Sequence, residues 1–353
     1  MGKKNIALIV AGILLLVGIF SATAGGIFGG GFVGTYIDGD GIHTSEGNDN
    51  QVSKELTSFK NVDISIHAGR IEMIKSDKNV IEYNIDSSER LSVCEVIGDT
   101  FTFKTDVKFS ISLFNFQDSY VRLYYIDGTE FENVTLKTSS GSLHANDFTA
   151  KTVYAKSSSG SRNLSNVKAD KIDISGSSGS AKLSNITAKD MYVKSTSGSI
   201  LIEGVTSQNM ITQNSSGSIK LYDANTDSMD VKASSGSILI ERATCQNIIA
   251  KNSSGSIKMY DANTASMDVR NTSGSIYVQG EPRGKSNLYS TSGSVKVYSS
   301  LSRDEYGYKL SSTSGSTKVD DETFKGSTGE EKANFIDASA TSGSVKVYFN
   351  SRG

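Results

Sequence analysis

The chain has 353 residues, 37% of them hydrophobic, with 34 glycines, one proline and no tryptophan. That apolar content suits a long thin core better than a compact globule. A net charge of −2 argues against bulk nucleic-acid binding, which needs a basic surface, and two cysteines, Cys94 and Cys245, cannot build a disulfide framework.

At the N-terminus, Lys3 and Lys4 precede an apolar run from Ile6 to Phe20, and no further charge occurs before Asp38. This span exceeds the roughly 20 residues that cross a bilayer. Basic residues before it and none after predict a transmembrane helix within residues 1–34, with the N-terminus inside and the remainder extracytoplasmic. The competing expectation is a signal peptide cleaved near Ala24, after Ala22-Thr23-Ala24, which would release a secreted protein. Residues 35–55 are rich in Gly, Asp, Asn and Ser and read as a flexible linker. Alternating segments then follow, among them VDISI, VIEYNI and YVRLYYI. They predict β-strands over 56–137 that cap the first unit of what comes next.

From 138 to 350 a Ser-Gly-Ser triplet sets a beat. Gly141, Gly160, Gly179, Gly198, Gly217, Gly236, Gly255, Gly274 and Gly293 lie 19 residues apart, and Gly315 and Gly343 follow at intervals of 22 and 28. Two residues after each glycine begins an alternating pair such as Ile200/Ile202, Ile219/Leu221 or Val295/Val297. Twelve residues after it begins another, such as Met191/Val193 or Met229/Val231. A single apolar position lies between: Phe148, Val167, Ile186, Val205, Ala224, Ala243 and Ala262. Period-two alternation is the strand signature, and a fixed period near 20 residues is that of a solenoid. The expected fold is therefore all-β, a parallel β-solenoid, or single-stranded β-helix, with rungs of about 19 residues. The glycines become its corners, flanked by a column of Ser and Thr hydroxyls bonded rung to rung. SGSILIEGVTSQNMITQN at Ser197 returns 38 residues later as SGSILIERATCQNIIAKN, so outer faces alternate over two rungs. The longer final intervals, rich in charge around Asp320–Glu322 and Glu330–Lys332, read as loops bulging from the coil.

Each candidate site has a plainer rival. The corner serines have no base in register, since the histidines are His43, His67 and His144. Asp223-x-Asn225-x-Asp227 offers oxygens for calcium, but lacks the glycine and bidentate Glu of an EF-hand loop and reads as an Asx turn. Glu203 and Glu241 share a column two rungs apart, and Arg162, Arg242, Arg270 and Arg283 occupy others, the pattern of solvated sheet faces rather than of a convergent acid, base and electrophile. The sharpest candidate is a chequerboard in the first strand: Lys220-x-Tyr222, Lys258-x-Tyr260 and Lys296-x-Tyr298 alternate with Leu201-x-Glu203, Leu239-x-Glu241 and Tyr277-x-Gln279. One reading is diagonal Lys–Glu pairing on a solvated face. The functional reading is an aromatic stripe flanked by lysines that stacks the sugars of an anionic surface glycan.

The order of parts resembles the bacterial putative-adhesin family, a domain of unknown function built from β-strand repeats. The resemblance rests on FKNVDISIHAGRIEMIKSDKNVIEYNI, on YVRLYYIDGTEFENVTLKTSSGS and on the serial Ser-Gly-Ser rungs, and covers roughly residues 56–350. It implies an extracytoplasmic solenoid, often membrane-anchored in Gram-positive bacteria and sometimes associated with envelope stress, with no catalytic residues to carry over. The expectation is a non-enzymatic, adhesin-like binding or scaffolding protein of the cell envelope. It uses no cofactor or metal, its partners are an envelope component and, through the N-terminal helix, the membrane, and nucleic acid is not among them. The alternative class is a β-helix enzyme acting on envelope polysaccharide.

Overall fold

The computed structural model describes residues 34–38, 41–45, 51–85, 88–107, 111–114, 119–328 and 332–350. Apart from one 3₁₀ turn at Arg303–Glu305, every regular element among them is a β-strand. The expected transmembrane helix lies outside the described residues. No helix among those residues is long and apolar enough to cross a membrane.

The solenoid is built as its periodicity dictates. The strands Arg162–Ser178, Ala181–Ser197, Ile200–Ser216, Ile219–Ser235, Ile238–Ser254, Ile257–Ser273 and Ile276–Ser292 each form most of one rung. Neighbours pair in parallel at an offset of 19 residues, as in Ile219↔Ile238 and Met229↔Ile248. Ile219, Leu221, Met229 and Val231 are wholly buried together, with Ala224 beside them, while Lys220 is exposed. Cys245 fills a buried column otherwise held by small residues such as Ala188, Ser207 and Thr226. Every rung thus hides one face of each strand against its neighbours, and the core runs the length of the stack.

The corner glycines form one continuous column. A Cβ on any of them would collide with the carbonyl of the glycine stacked against it, so the close approach of rungs excludes a side chain. Most also hold a positive φ, for example +123° at Gly198 and +132° at Gly274. The bonding between corners differs from the expected hydroxyl column. A hydroxyl pair does join Ser316 to Ser344 at 3.2 Å. The Ser275 and Ser294 hydroxyls accept from the backbone N–H of Ser294 and Ser344, both at 3.3 Å, and at most corners backbone groups alone do this work, as in Gly217 N–H to the Ser235 carbonyl at 2.9 Å. Inward side chains three residues before the glycine add staples: Ser157 donates to the Gly141 carbonyl (2.7 Å), Asn214 to Gly198 (2.7 Å), Asn252 to Gly236 (2.8 Å) and Asn271 to Gly255 (2.7 Å).

A second bend lies six residues after each glycine, where Asp147, Asn166, Asn185, Gly204, Asp223, Arg242, Asp261 and Gly280 all have positive φ. Asn, Asp and Gly tolerate this left-handed conformation; Arg242, at φ 54°, is the exception in the column.

Both ends depart from sequence order. At the start, the rung Asn61–Ala68, Gly69, Arg70–Ser76 is sandwiched. On one side it meets Glu130–Ser140 and Leu143–Asn146, and on the other Thr100–Val107 and Tyr120–Ile126, all in parallel. At the finish, Asn334–Ser342 inserts between Ile276–Ser292 and Tyr306–Ser314, so the corner column runs Gly293, Gly343, Gly315. Part of the charged insertions read as loops supplies antiparallel edge strands instead: Glu322–Thr323 pairs with Thr317–Val319, and Gly326–Ser327 with Tyr306–Ser314, while Glu330 and Glu331 lie outside the described residues. Aromatic clusters plug both ends, Phe59, Phe101, Phe131 and Phe148 at one and Tyr306, Tyr308, Phe324 and Phe349 at the other.

Two further expectations are corrected. Much of the segment read as linker is strand: Gly34–Asp38 pairs with Gly41–Ser45 and with Ile111–Phe114, and Val52–Glu55 pairs antiparallel with Val80–Asn84. Composition suited to a tether also suits hairpin turns, and only the partner strands decide between them. Arg162, expected on a solvated face, is fully buried in the core column between Leu143 and Ala181. Room for it exists because Gly176 replaces the Ser that neighbouring rungs carry at Ser157 and Ser195.

Candidate functional site

The first-strand chequerboard is in register. Lys182, Leu201, Lys220, Leu239, Lys258, Tyr277 and Lys296 form one outward column, and Glu203, Tyr222, Glu241 and Tyr260 a second. Lys220, Lys258 and Lys296 are exposed, and Tyr222, Tyr260 and Tyr298 are half-buried.

The rings do not form the evenly spaced stripe of Tyr222, Tyr260 and Tyr298. Tyr260 meets Tyr277 at 5.1 Å between centroids, Tyr277 meets Tyr298 at 5.4 Å, and Tyr298 stacks on Tyr348 at 4.8 Å and 11°. Tyr277 bridges diagonally between columns, and Tyr348 arrives because the final rung inserts next to that of Tyr298. Tyr222 stands apart, beneath the Arg242 guanidinium at 5.9 Å. The facing surfaces of Tyr298 and Tyr348 cover each other and are closed to a sugar. The Tyr348 hydroxyl donates to Asp321 at 2.9 Å, and its pKa is pushed up to about 12 by burial and that carboxylate. Such a ladder strengthens the sheet through cross-strand ring contacts.

The carboxylates weighed for chemistry are engaged. Glu203 lies 3.9 Å from Lys182, and Glu241 3.4 Å from Arg242. Asp223 receives Arg242 through two nitrogens at 2.6 and 3.0 Å, which holds its carboxyl below the usual range. Among the described residues no cluster of three or more His, Cys, Asp or Glu could hold a metal ion.

Two concave features were not anticipated. A trough of about 1160 Å³ runs from Phe59 along the small-residue column of Ala150, Ala169, Ala188, Ser207 and Thr226. On its rim Lys151 pairs with Glu132 at 2.9 Å and Lys189 with Asp170 at 2.8 Å. On another face, the position four residues before each corner glycine carries Lys137, Lys156, Lys194, Lys232, Lys251 and Arg270, with Ser175 and Gln213 interspersed. A furrow of about 440 Å³ separates Lys232, Lys251 and Arg270 from Ser234, Ser253 and Thr272. Its signal was present in the sequence at the same 19-residue period, on the polar side of the second strand.

A family model described as Toastrack DUF4097 matches residues 59–242 and 203–351, together most of the chain. The chain belongs to the Toastrack DUF4097 family. The two matches overlap over 203–242, inside the duplicated pair of rungs, as expected where a repeat fits its model in two frames. Two solved structures are similar to this Toastrack chain. A putative cell adhesion protein from Clostridium sporogenes is 7% identical, over 85% of this chain and 99% of that one, with a TM-score of 0.20. A putative adhesin from Bacteroides fragilis is 12% identical, over 86% and 98%, with a TM-score of 0.30. No curated protein matches the chain.

Proposed function

We propose that the chain is a non-enzymatic, adhesin-like binding protein that presents its solenoid outside the cell and engages a polymer of the envelope or of another surface. The observation that carries this reading is the in-register repetition of the outer faces, where the same side-chain positions recur in every rung from Arg162 to Ser292. A ligand that itself repeats can meet such a face at many equivalent points, so weak contacts multiply into avidity. Lys3, Lys4 and the apolar run after them support export with the N-terminus inside.

Two measurements test the proposal. The full-length protein, presented to an array of envelope polymers and glycans, should retain at least one polymer, and retention of none would refute the binding reading. Protease added to intact protoplasts should digest the solenoid; complete protection would refute export, and a mature N-terminus at Gly25 would replace the anchor with a cleaved signal.

A further inference from the structure

The basic column beside the corner is costly to the fold unless something else uses it. Lys232, Lys251 and Arg270 stand in three successive rungs and pair directly, residue to residue. Adjacent strands lie about 4.8 Å apart, inside the Debye length of about 8 Å, so these like charges repel across the sheet. Two of them find a partial answer along their own strands: Lys232 lies 2.7 Å from Asp230 and Arg270 lies 2.9 Å from Asp268. Lys251 has Ile249 at the equivalent place, is half-buried, and has no ion-pair partner among the described residues. A third rung of charge is thus left facing the furrow.

The opposite wall is of different chemistry. Ser234, Ser253 and Thr272, two residues beyond each basic side chain, are exposed and present one hydroxyl per rung along the same line. At the end of the column stands Tyr289, 42% exposed, its hydroxyl held by Thr341 at 3.2 Å and Thr291 at 3.5 Å. The furrow therefore offers a cation and a hydroxyl per rung and an aromatic ring at one end.

We propose that this furrow binds a linear polysaccharide carrying a carboxylate on each sugar, laid along the solenoid axis with about one sugar per rung. The rung spacing of about 4.8 Å is close to the advance of an extended pyranose chain per residue. Carboxylates then meet Lys232, Lys251 and Arg270, and sugar hydroxyls meet the Ser and Thr wall. The ring of Tyr289 takes a sugar face. The proposal rests on the polymer-binding reading above and specifies its ligand class and face.

The test uses the full-length protein and four probes: polymannuronate, neutral dextran, inorganic polyphosphate and single-stranded poly(dT). Affinities are measured for the wild type, for Lys232→Gln/Lys251→Gln/Arg270→Gln, and for Lys54→Gln/Lys78→Gln/Arg90→Gln. The last carries the same charge change on exposed residues of the N-terminal segment, away from the furrow and from the first-strand face. Melting transitions no lower than that of the wild type certify both variants as folded. The expected result is that wild type binds polymannuronate, that the furrow variant loses more than tenfold in affinity, and that the N-terminal variant stays within twofold. Equal losses in both variants, or equal affinity for polyphosphate or poly(dT), would reduce the furrow to a general cationic surface and overturn the proposal. Binding of dextran, unaffected by either variant, would overturn the furrow while leaving the broader reading intact. Failure to bind any polymer would overturn both.

Discussion

Exchanging Arg162 and Gly176 for the residues of an ordinary rung should reveal a strong coupling between them. Arg162 is fully buried, its Nη2 donates to the Gly179 carbonyl, and its Nε and Nη1 have no partner among the described residues. Burial lowers its pKa, the mark of a cation held away from water. By taking the Gly179 carbonyl it also occupies the acceptor that Ser195 would reach by analogy with Ser157 on Gly141, and the Ser195 hydroxyl is left without a partner among the described residues. Gly176→Ser alone drives a Cβ into Arg162 Nη1 and should cost about 1–3 kcal/mol by overpacking. Arg162→Leu alone removes unpaired donors, each worth about 1–3 kcal/mol when buried, but opens a void beside Gly176, so its net effect should be small. Together the changes fill the void, free the Gly179 carbonyl for Ser195, and should stabilise by roughly 1–4 kcal/mol, as when buried charges give way to packed apolar groups. The assay is a double-mutant cycle by urea unfolding. Amide exchange over residues 162–198 serves as a local readout, because solenoids can open rung by rung. Additivity of the two single changes within about 0.5 kcal/mol, or a double variant less stable than wild type, would refute this account.

Three further outcomes are expected. Leu221→Ala should cost about 2–5 kcal/mol in denaturant unfolding, while Lys220→Ala stays within roughly 0.5 kcal/mol; equal losses would mean the register is wrong. Arg242→Gly should raise the melting temperature, because relief of left-handed strain at this position outweighs the loss of an exposed, solvent-screened ion pair with Asp223. Asn252→Ala should cost about 0.5–1.5 kcal/mol by removing the staple to the Gly236 carbonyl, with faster amide exchange at that corner as the check.

Much of the coil is legible in the sequence because its physics is local and periodic. A glycine every 19 residues and apolar pairs at fixed offsets predict the buried columns down to Ala224. The Asn, Asp and Gly positions of the second bend are just as periodic and carry the same information. What eludes a linear reading is stacking that departs from chain order. Gly69 lacks flanking serines yet joins the corner column, and Gly343 sits between Gly293 and Gly315. The aromatic face changes for that reason: Tyr348 can be set beside Tyr298 only when the inserted final rung is known. Arg162 escapes because an arginine inside a β-core depends on an absent side chain at Gly176, fourteen positions away in sequence.

The sandwiched terminal rungs also set how the molecule carries load. A stack whose first and last strands were outermost would unzip under tension one ladder at a time. Here Asn61–Ala68 is clamped between Thr100–Val107 and Glu130–Ser140, and Asn334–Ser342 between Ile276–Ser292 and Tyr306–Ser314. Once Val52–Glu55 has peeled from its antiparallel ladder, a pull along the chain on either end of the coil must therefore shear two parallel ladders at once, with an aromatic plug at each end of the stack. The chain thus enters and leaves its coil through strands that are gripped from both sides.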